Sequence, residues 1–381
     1  MFFTRREART VHPMGWMSDR LRNVRSVAAK KKEIQGAPKV GHAIEIDRLS
    51  KTYSAQTSIG DMLRGRQRAV VHALHEVSLN IMEGEVYGVL GPNGSGKTTL
   101  LKILSTILTP SAGHARVFGL DIGTQDYLVR DLVALVTAED RSFYWRLTAR
   151  ENLRFFATLY GIDSVTAARK INDLLKLFEL TKAADRRVGE FSTGMKQKLA
   201  IARGLLSSPR LLFLDEPTRG MDPASAHALL SMVQSRLIDY FDNTVILTTH
   251  IMREVETLCQ RVGVLRYGKL VYSGGLNELK KSLSPHDRYL LRLANLSDAT
   301  CDALAALPCV ERCVRAQENG DQGLDLSLER DACALDQVLN VVREQRAVVL
   351  DCVKLEQSLE ETFRTLFAEE SHDGTTAAPV A

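Results

Sequence analysis

Short apolar runs alternate with helical patterns over most of the chain. The runs Val86–Leu90, 211–214 and 245–247 are continuously apolar, which is typical of strands buried on both faces of a sheet. Residues 44–46 and 77–81 instead alternate between apolar and polar side chains, and this pattern predicts half-exposed strands. Strands separated by helices indicate an α/β fold with a parallel-sheet core.

A second pattern follows residue 280. Strands are predicted at 288–293, 310–316, 324–328 and 348–355, with helices at 298–306, 334–343 and 359–368. Apart from the last helix, this order is compatible with a small ferredoxin-like module. We therefore expect a basic flexible extension over 1–43, a main α/β domain over 44–280, an accessory α+β domain over 281–370 and a disordered tail over 371–381.

The composition is that of a globular chain. Apolar residues make up 45% and charged residues 25% of the sequence, which excludes collagen-like, disordered and disulfide-scaffold proteins. No run approaches the roughly 18 to 20 consecutive apolar residues that are needed to cross a bilayer. We therefore expect that the chain does not form a membrane channel alone.

Positive charge is concentrated at the amino terminus. Residues 1–40 contain ten of the 50 Lys/Arg residues and three of the 46 Asp/Glu residues, which leaves 40 and 43 for the remaining chain. A nearly neutral body argues against a duplex-binding surface, so we expect no nucleic-acid partner. The extension is interpreted as a flexible tail, with an organelle-targeting leader or a contact with an anionic membrane surface as alternatives.

The loop after Val86–Leu90 has the chemistry of a phosphate-binding site. Residues 91–98, called the phosphate loop below, fit the template G-x-x-x-x-G-K-[ST]. They lie between a predicted strand and a helix predicted over 98–108. Glycines let backbone N–H groups converge on phosphate oxygens, Lys97 reaches the β- and γ-phosphates, and the Thr98 hydroxyl serves Mg²⁺. Similar spacing at 263–270 lacks the Ser/Thr and predicts a hairpin turn. The predicted phosphate-binding residues are Gly91, Pro92, Asn93, Gly94, Ser95, Gly96, Lys97, Thr98 and Thr99.

Two further strands end in residues suited to phosphoryl transfer. Asp215 and Glu216 follow the run 211–214, at the sheet edge where open α/β sheets bind ligands. We predict that Asp215 joins Thr98 as a magnesium ligand and that Glu216 orients and polarises the attacking water. His250 ends the other strand and is predicted to contact the γ-phosphate, although a lone histidine is more often structural.

A second anion-binding geometry precedes the helix predicted over 198–206. Ser192 and Gly194 lie where this helix begins, and a serine there presents its hydroxyl to the first-turn N–H groups. Taken alone, the segment is an ordinary helix cap. The position of this segment along the chain, between Lys97 and Asp215, favours a functional role.

Together, these motifs resemble those of the nucleotide-binding subunit of ABC transporters over roughly residues 44–280. The resemblance implies an ATPase with a parallel-sheet core, an antiparallel β-subdomain and an α-helical subdomain. It also implies a homodimer, in which Ser192 and Gly194 of one copy close on the ATP that Lys97 of the other copy holds. A separate transmembrane permease at the cytoplasmic face of the cell membrane is the implied partner. The signature Thr193-Gly194-Met195 and the ending at 358–363 look most like those of drug and polysaccharide exporters.

The resemblance also assigns less regular positions. Tyr53 would stack on adenine, the alternative being a packed strand residue, and the insertion at 57–70 lengthens its spacing from the phosphate loop. Glu139, or else Asp140, lies where the family usually carries glutamine, and an acid there would meet Mg²⁺ or the attacking water. The aromatic segment at 143–146 is either core packing or an exposed patch that receives the permease.

The alternative function is that of a soluble ABC ATPase acting in translation or chromosome maintenance. Translation-type members usually hold two cassettes in one chain, whereas one complete phosphate-loop motif is present here. Chromosome-type members place a long coiled coil between the phosphate loop and the signature. The 95 positions from Lys97 to Ser192 leave no space for one.

Overall fold

The computed structural model describes residues 41–54, 70–137, 143–238, 243–283, 286–318, 321–329 and 334–355. Two compact units are present. The first comprises the described residues up to His250 together with 254–273, and the second comprises 251–253 and the described residues from Gly274 onward. The boundary between residues 280 and 281 stays a prediction. The predicted extension up to residue 40, the helix at 359–368 and the tail at 371–381 lie outside the described residues.

A mainly parallel sheet forms the centre of the first unit. Its strands are β3 (Val86–Leu90), β6 (Val133–Thr137), β7 (Leu211–Asp215), β8 (Thr244–Thr249), β9 (Arg261–Arg266) and β10 (Lys269–Gly275). They lie in the order β10-β9-β3-β8-β7-β6, and the five strands from β9 to β6 are parallel. β3, β7 and β8 are buried along their whole length. Burial on both faces of the sheet accounts for the continuous apolar runs within these strands.

Strands β9 and β10 form a hairpin. Their connection contains Tyr267 and Gly268, which both have positive φ, as two-residue turns between antiparallel strands often require. This turn confirms the hairpin that was predicted for the incomplete phosphate-loop spacing at 263–270.

An antiparallel sheet covers one side of the same core. It contains β1 (His42–Ser54), β2 (Val70–Met82), β4 (Ala112–Val117) and β5 (Leu120–Asp121), in the order β2-β1-β4-β5. Its inward-facing side chains, including Leu74 and Leu79, belong to one buried cluster with Val89, Leu100 and Phe213. That cluster joins this sheet to both elements that flank the phosphate loop.

Helices surround the two sheets. They are α1 (Lys97–Leu104), α2 (Asp126–Leu132), α3 (Ala149–Leu159), α4 (Ser164–Leu177), α5 (Thr193–Leu205), α6 (Pro223–Met232) and α7 (Met252–Leu258), with 3₁₀ turns at Thr181–Ala183 and Val188–Glu190 and a π-helical turn at Val233–Ile238. Thr148, Asp163, Ser192 and Asp222 cap α3 to α6 by accepting hydrogen bonds from first-turn N–H groups. Within the described ranges, no helix has both the length and the apolar character needed to span a bilayer.

Two helices differ from their predicted bounds. α1 ends at Leu104 instead of residue 108, because the chain turns at Ser105 and Thr106 has a φ of 60°. A residue in the left-handed region commonly ends a helix. α5 begins at Thr193 instead of Lys198, because the Ser192 cap starts the helix earlier.

The second unit is a small α+β module. Its elements are α8 (Leu276–Leu283), β11 (His286–Ala294), α9 (Asp298–Ala305), β12 (Val310–Glu318), β13 (Asp321–Glu329), α10 (Ala334–Glu344) and β14 (Val348–Leu355). The sheet order is β12-β13-β11-β14 with antiparallel neighbours. Leu291, Leu324 and Val338 are fully buried in its core. The order of strands and helices confirms the ferredoxin-like prediction.

Candidate active site

The phosphate loop joins two buried elements. β3 ends at Leu90 and α1 begins at Lys97, so the loop leads directly into a helix N-terminus, where first-turn N–H groups lack intrahelical acceptors. Gly96 has a φ of 104°, and a Cβ at this position would lie 2.3 Å from the carbonyl oxygen of Ala73. No side chain fits there, and glycine allows the left-handed conformation in which the loop enters α1.

Lys97 reaches back across this loop. Its Nζ donates to the carbonyl oxygens of Gly91 at 2.7 Å and Pro92 at 3.0 Å, and it lies 3.8 Å from Oε1 of Glu216. Burial lowers the pKa of the Lys97 ammonium, while Glu216 and Asp215 act in the opposite direction. A buried cation held mainly by neutral carbonyls is suited to an anionic ligand such as a triphosphate.

Ser95 lies within the same loop. Its side chain is 2% exposed, and its Oγ has no hydrogen-bond partner among the described residues. Buried hydroxyl groups nearly always have a partner. A ligand oxygen held in the loop would supply one, which is consistent with the predicted role in phosphate binding.

Thr98 and Asp215 meet although 117 positions separate them. The Thr98 Oγ1 donates to Oδ2 of Asp215 at 2.9 Å, and the Thr248 Oγ1 donates to Oδ1 at 2.5 Å. The described part of the chain has no group of three or more His, Cys, Asp or Glu that could hold a metal. Mg²⁺ is usually held by one or two protein carboxylates together with waters and substrate phosphates. The pair of Thr98 and Asp215 therefore fits a magnesium ion whose remaining ligands would be phosphate oxygens and water.

Three basic side chains surround Glu216. The His250 Nδ1 and the Lys97 Nζ lie 3.2 Å and 3.8 Å from its Oε1, and the Arg219 Nη1 lies 3.7 Å from its Oε2. Glu216 has a φ of 48°, and its N–H donates to the carbonyl oxygen of Thr248 at 3.0 Å. Left-handed backbone costs a non-glycine residue about 1 kcal/mol or more and is found often at active sites. The surrounding contacts therefore hold this carboxylate beside Lys97.

A cleft of about 750 Å³ collects most of these residues. Its lining contains Val71, His72, Ala73, Asn93, Gly94, Gly96, Lys97, Thr98, Thr99, Lys102, Thr137, Asp215, Glu216 and Arg219. The first three belong to β2, which no motif had marked. The volume lies within the range of small-molecule sites, so the cleft is large enough for a nucleotide.

Tyr53 lies on β1 and not in the core. It is 41% exposed, and the Lys51 Nζ lies 5.3 Å from its ring centroid. Tyr53 does not line the cleft, but its partner across the strands, Val71, does. Opposed residues of an antiparallel pair share a face of the sheet. The stacking of Tyr53 on adenine stays a prediction.

Two predicted positions are not placed by the structure. Glu139 and its alternative Asp140 lie outside the described residues. The last residue described before them is Thr137, which pairs with Asp215 and lines the cleft. A role for either acid at the magnesium ion or the attacking water stays a prediction.

Ser192 and Gly194 lie at the start of α5, outside the cleft lining. The Ser192 Oγ accepts a hydrogen bond from the N–H of Met195 at 3.3 Å, and the Ser192 side chain is exposed. The nucleotide-binding role of these residues stays a prediction. This role requires a second copy of the chain, whose cleft would hold the nucleotide that Ser192 and Gly194 contact.

Three residues near the site were not predicted from the sequence. Thr248 lies within an apolar strand, and the only signal was its position two residues before His250. Arg219 follows Glu216 by three positions, close to one helical turn. Glu254 is 4% exposed on α7, and no local pattern marked it.

The sequence is similar to those of known transport proteins. Residues 74–219 match the family model described as ABC transporter. The ABC transporter ATP-binding protein NatA of Bacillus subtilis is 37% identical over 230 residues, which cover 60% of this chain and 93% of NatA. The Nod factor export ATP-binding protein I of Neorhizobium galegae is 38% identical over 209 residues, or 55% of this chain and 58% of that protein.

The fold is also similar to that of a solved ATP-binding subunit of an ABC transporter. The TM-score is 0.51 and the sequence identity is 27%. The match covers 63% of this chain and 92% of the solved chain.

Proposed function

This chain belongs to the family of ABC transporter ATP-binding proteins, and we propose that it forms a homodimer around ATP and drives a separate membrane permease in export. The chain is an ATPase, which converts ATP and water into ADP and phosphate. The single observation that carries the proposal is the convergence of Lys97, Thr98, Asp215 and Glu216 in one cleft. Export is proposed because the Neorhizobium relative is named for export of Nod factor. A drug, a lipid or a polysaccharide is the proposed class of cargo.

The described side chains divide the chemistry between binding and water activation. Lys97 and the loop N–H groups bind the β- and γ-phosphates, and Thr98 and Asp215 would hold Mg²⁺. When bound, the ion neutralises developing negative charge on the phosphate oxygens. Glu216 accepts a hydrogen bond from the attacking water and orients it, and His250 holds Glu216 and reaches the γ-phosphate. Such positioning and electrostatic stabilisation provide most of the catalysis in phosphoryl transfer.

A second copy of the chain would complete each site. Ser192 is exposed at the N-terminus of α5, a position where oriented N–H groups favour an anion. Ser192 does not line the cleft of its own copy. Two copies that face each other would each present this segment to the γ-phosphate held by the other.

An exposed aromatic patch is the proposed contact for the permease. Tyr144 and Trp145 are about half exposed, and the Tyr144 ring packs edge-on against Phe155 at 4.8 Å between centroids. Phe143, by contrast, is buried against Phe156, so the aromatic segment divides between core and surface. Exposed aromatic side chains with charged neighbours are enriched at protein interfaces.

The permease would bring the chain to the cytoplasmic face of the cell membrane. The basic segment before residue 41 is proposed to add a contact with anionic lipid, and nucleic acid is not proposed as a partner. A role in translation or chromosome maintenance is not favoured, because the relatives described above are named for transport or export.

A transport assay tests this function. The chain would be reconstituted into liposomes with the permease encoded beside its gene, and ATP hydrolysis and movement of a labelled amphipathic drug would be followed together. The proposal predicts drug movement away from the ATP-containing side, and its loss with Glu216→Gln. Hydrolysis with movement in the opposite direction would contradict export. An absence of hydrolysis both with and without the permease would contradict the whole function.

A further inference from the structure

Glu254 is a buried carboxyl group for which the hydrolysis mechanism gives no role. It lies on α7, four positions after His250, and is 4% exposed. Its Oε2 has no hydrogen-bond partner among the described residues. Burial raises the pKa of this carboxyl above its usual value, against the opposing influence of its hydroxyl neighbours. Burial of such a group is unfavourable, and an apolar side chain would avoid the cost.

The carboxyl group contacts two different strand ends. The Thr218 Oγ1 donates a hydrogen bond to Oε1 of Glu254, and the side chain of Thr249 also hydrogen bonds to this carboxyl group. Thr249 is the last residue of β8, and Thr218 follows β7 by three positions. Both threonines are at least 95% buried. Glu254 therefore bridges the ends of two neighbouring parallel strands.

Those two strand ends carry the residues proposed to activate water. Glu216 lies two positions before Thr218, and His250 directly follows Thr249. A separation of 3.2 Å between the His250 Nδ1 and the Glu216 Oε1 requires that both turns keep their positions. Glu216 is also in the left-handed region, at a φ of 48°. Surrounding contacts must maintain such a conformation.

We propose that Glu254 is a positioning residue, which holds the turn after β7 and the turn after β8 together and so keeps Glu216 and His250 in register for hydrolysis. The proposal rests on the ATPase function of the same site. It assigns Glu254 no contact with the nucleotide, because Glu254 is absent from the cleft lining. Loss of the bridge should therefore affect turnover much more than nucleotide binding.

Four single variants of the full-length chain and one double variant test this proposal. Glu254→Leu removes the acceptor, Thr218→Val removes one donor with little change of shape, and Glu254→Gln keeps an acceptor oxygen. Glu256→Gln, on the exposed side of the same helix, is the matched control. The measurements are kcat and KM for ATP, the affinity for a fluorescent ATP analogue, and the melting temperature.

The bridge predicts a selective loss of turnover. We expect Glu254→Leu and Thr218→Val each to lower kcat by about tenfold or more, because small misplacements of catalytic groups are costly. KM and analogue affinity should stay within about threefold of the original values, because Glu254 and Thr218 make no proposed contact with the nucleotide and its ground-state binding is unchanged. Glu254→Gln should retain most of kcat, and the double variant Thr218→Val/Glu254→Leu should be no slower than the slower single variant.

Several results would overturn the proposal. One is a Thr218→Val variant that is stably folded and turns over ATP as fast as the original chain. Another is a loss that appears in KM or analogue affinity instead of kcat. If Glu254→Leu does not fold, Thr218→Val and Glu254→Gln decide the question. Inactivity of the original chain would contradict the ATPase function itself. Normal activity in the variants would instead contradict only the positioning role of Glu254.

Discussion

The Nδ1 of His250 lies 3.2 Å from Oε1 of Glu216, across the ends of the neighbouring parallel strands β8 and β7. The Lys97 ammonium lies 3.8 Å from the same carboxylate oxygen. Glu216 is therefore held between Lys97, the residue proposed to bind phosphate, and His250, which directly follows β8. In the proposed mechanism, this arrangement links the binding of ATP by Lys97 to the orientation of the attacking water by Glu216.

Replacement of Glu216 by glutamine should separate binding from hydrolysis. The amide side chain would keep the size and one acceptor oxygen of the carboxylate but would be a much weaker base, so kcat should fall by about 100-fold or more. ATP-bound dimers should accumulate and be visible by size-exclusion chromatography. Glu256→Gln serves as the control, and turnover near the original rate in Glu216→Gln would assign water activation to another residue.

Lys97→Ala should remove tight nucleotide binding. A charge-assisted contact is worth up to about 3 kcal/mol, which corresponds to an affinity loss of about 100-fold. Isothermal titration with ATP and magnesium measures this loss. The control Lys176→Ala alters an exposed lysine on α4 and should leave the affinity unchanged. Equal affinities for the two variants would contradict the phosphate-binding role of Lys97.

Ser192→Arg should prevent closure of the dimer while each monomer still binds ATP. A long cation at the start of α5 would occupy the space meant for the nucleotide of the other copy. We expect unchanged ATP affinity in the monomer, no ATP-dependent dimer and no hydrolysis. Ser164→Arg, which alters the exposed first residue of α4, is the control. An active Ser192→Arg variant would refute the shared site.

Gly96→Ala should damage both stability and binding. The new Cβ would lie 2.3 Å from the Ala73 carbonyl oxygen, at a residue with a φ of 104°. The strain should lower the free energy of unfolding by about 1–3 kcal/mol, measured by urea denaturation. Gly41→Ala is the control, because a Cβ at Gly41 would meet no atom within 4 Å. Equal stabilities for these two variants would show that the loop tolerates a side chain.

Local sequence predicted those parts of the fold that depend on local chemistry. The buried strand Val86–Leu90 has the predicted bounds, because a continuous apolar run between polar segments has one favourable arrangement in a covered sheet. The loop that leads from β3 into α1 was likewise predicted, since its glycines, lysine and threonine lie within a few residues of one another. The meeting of Thr98 with Asp215 followed from the shared edge at which parallel strands end.

Other features depend on contacts that local sequence does not encode. Thr248 reaches Asp215 from a strand whose apolar neighbours hide its role. The bridge from Glu254 to Thr218 depends on how α7 packs near the end of β7. α1 ends at Leu104 instead of at the predicted residue 108, because a left-handed turn at Thr106 replaces another helical turn.

Mixing two inactive variants tests the shared nucleotide site most directly. Lys97→Ala keeps its own Ser192, and Ser192→Arg keeps its own Lys97, so a mixed dimer contains one site with both original residues. We predict that neither variant alone releases phosphate from Mg·ATP and that an equimolar mixture does, at a rate that depends on the proportion of mixed dimers. If the mixture stays as inactive as its components while each variant is folded, ATP is not held between two copies of this chain.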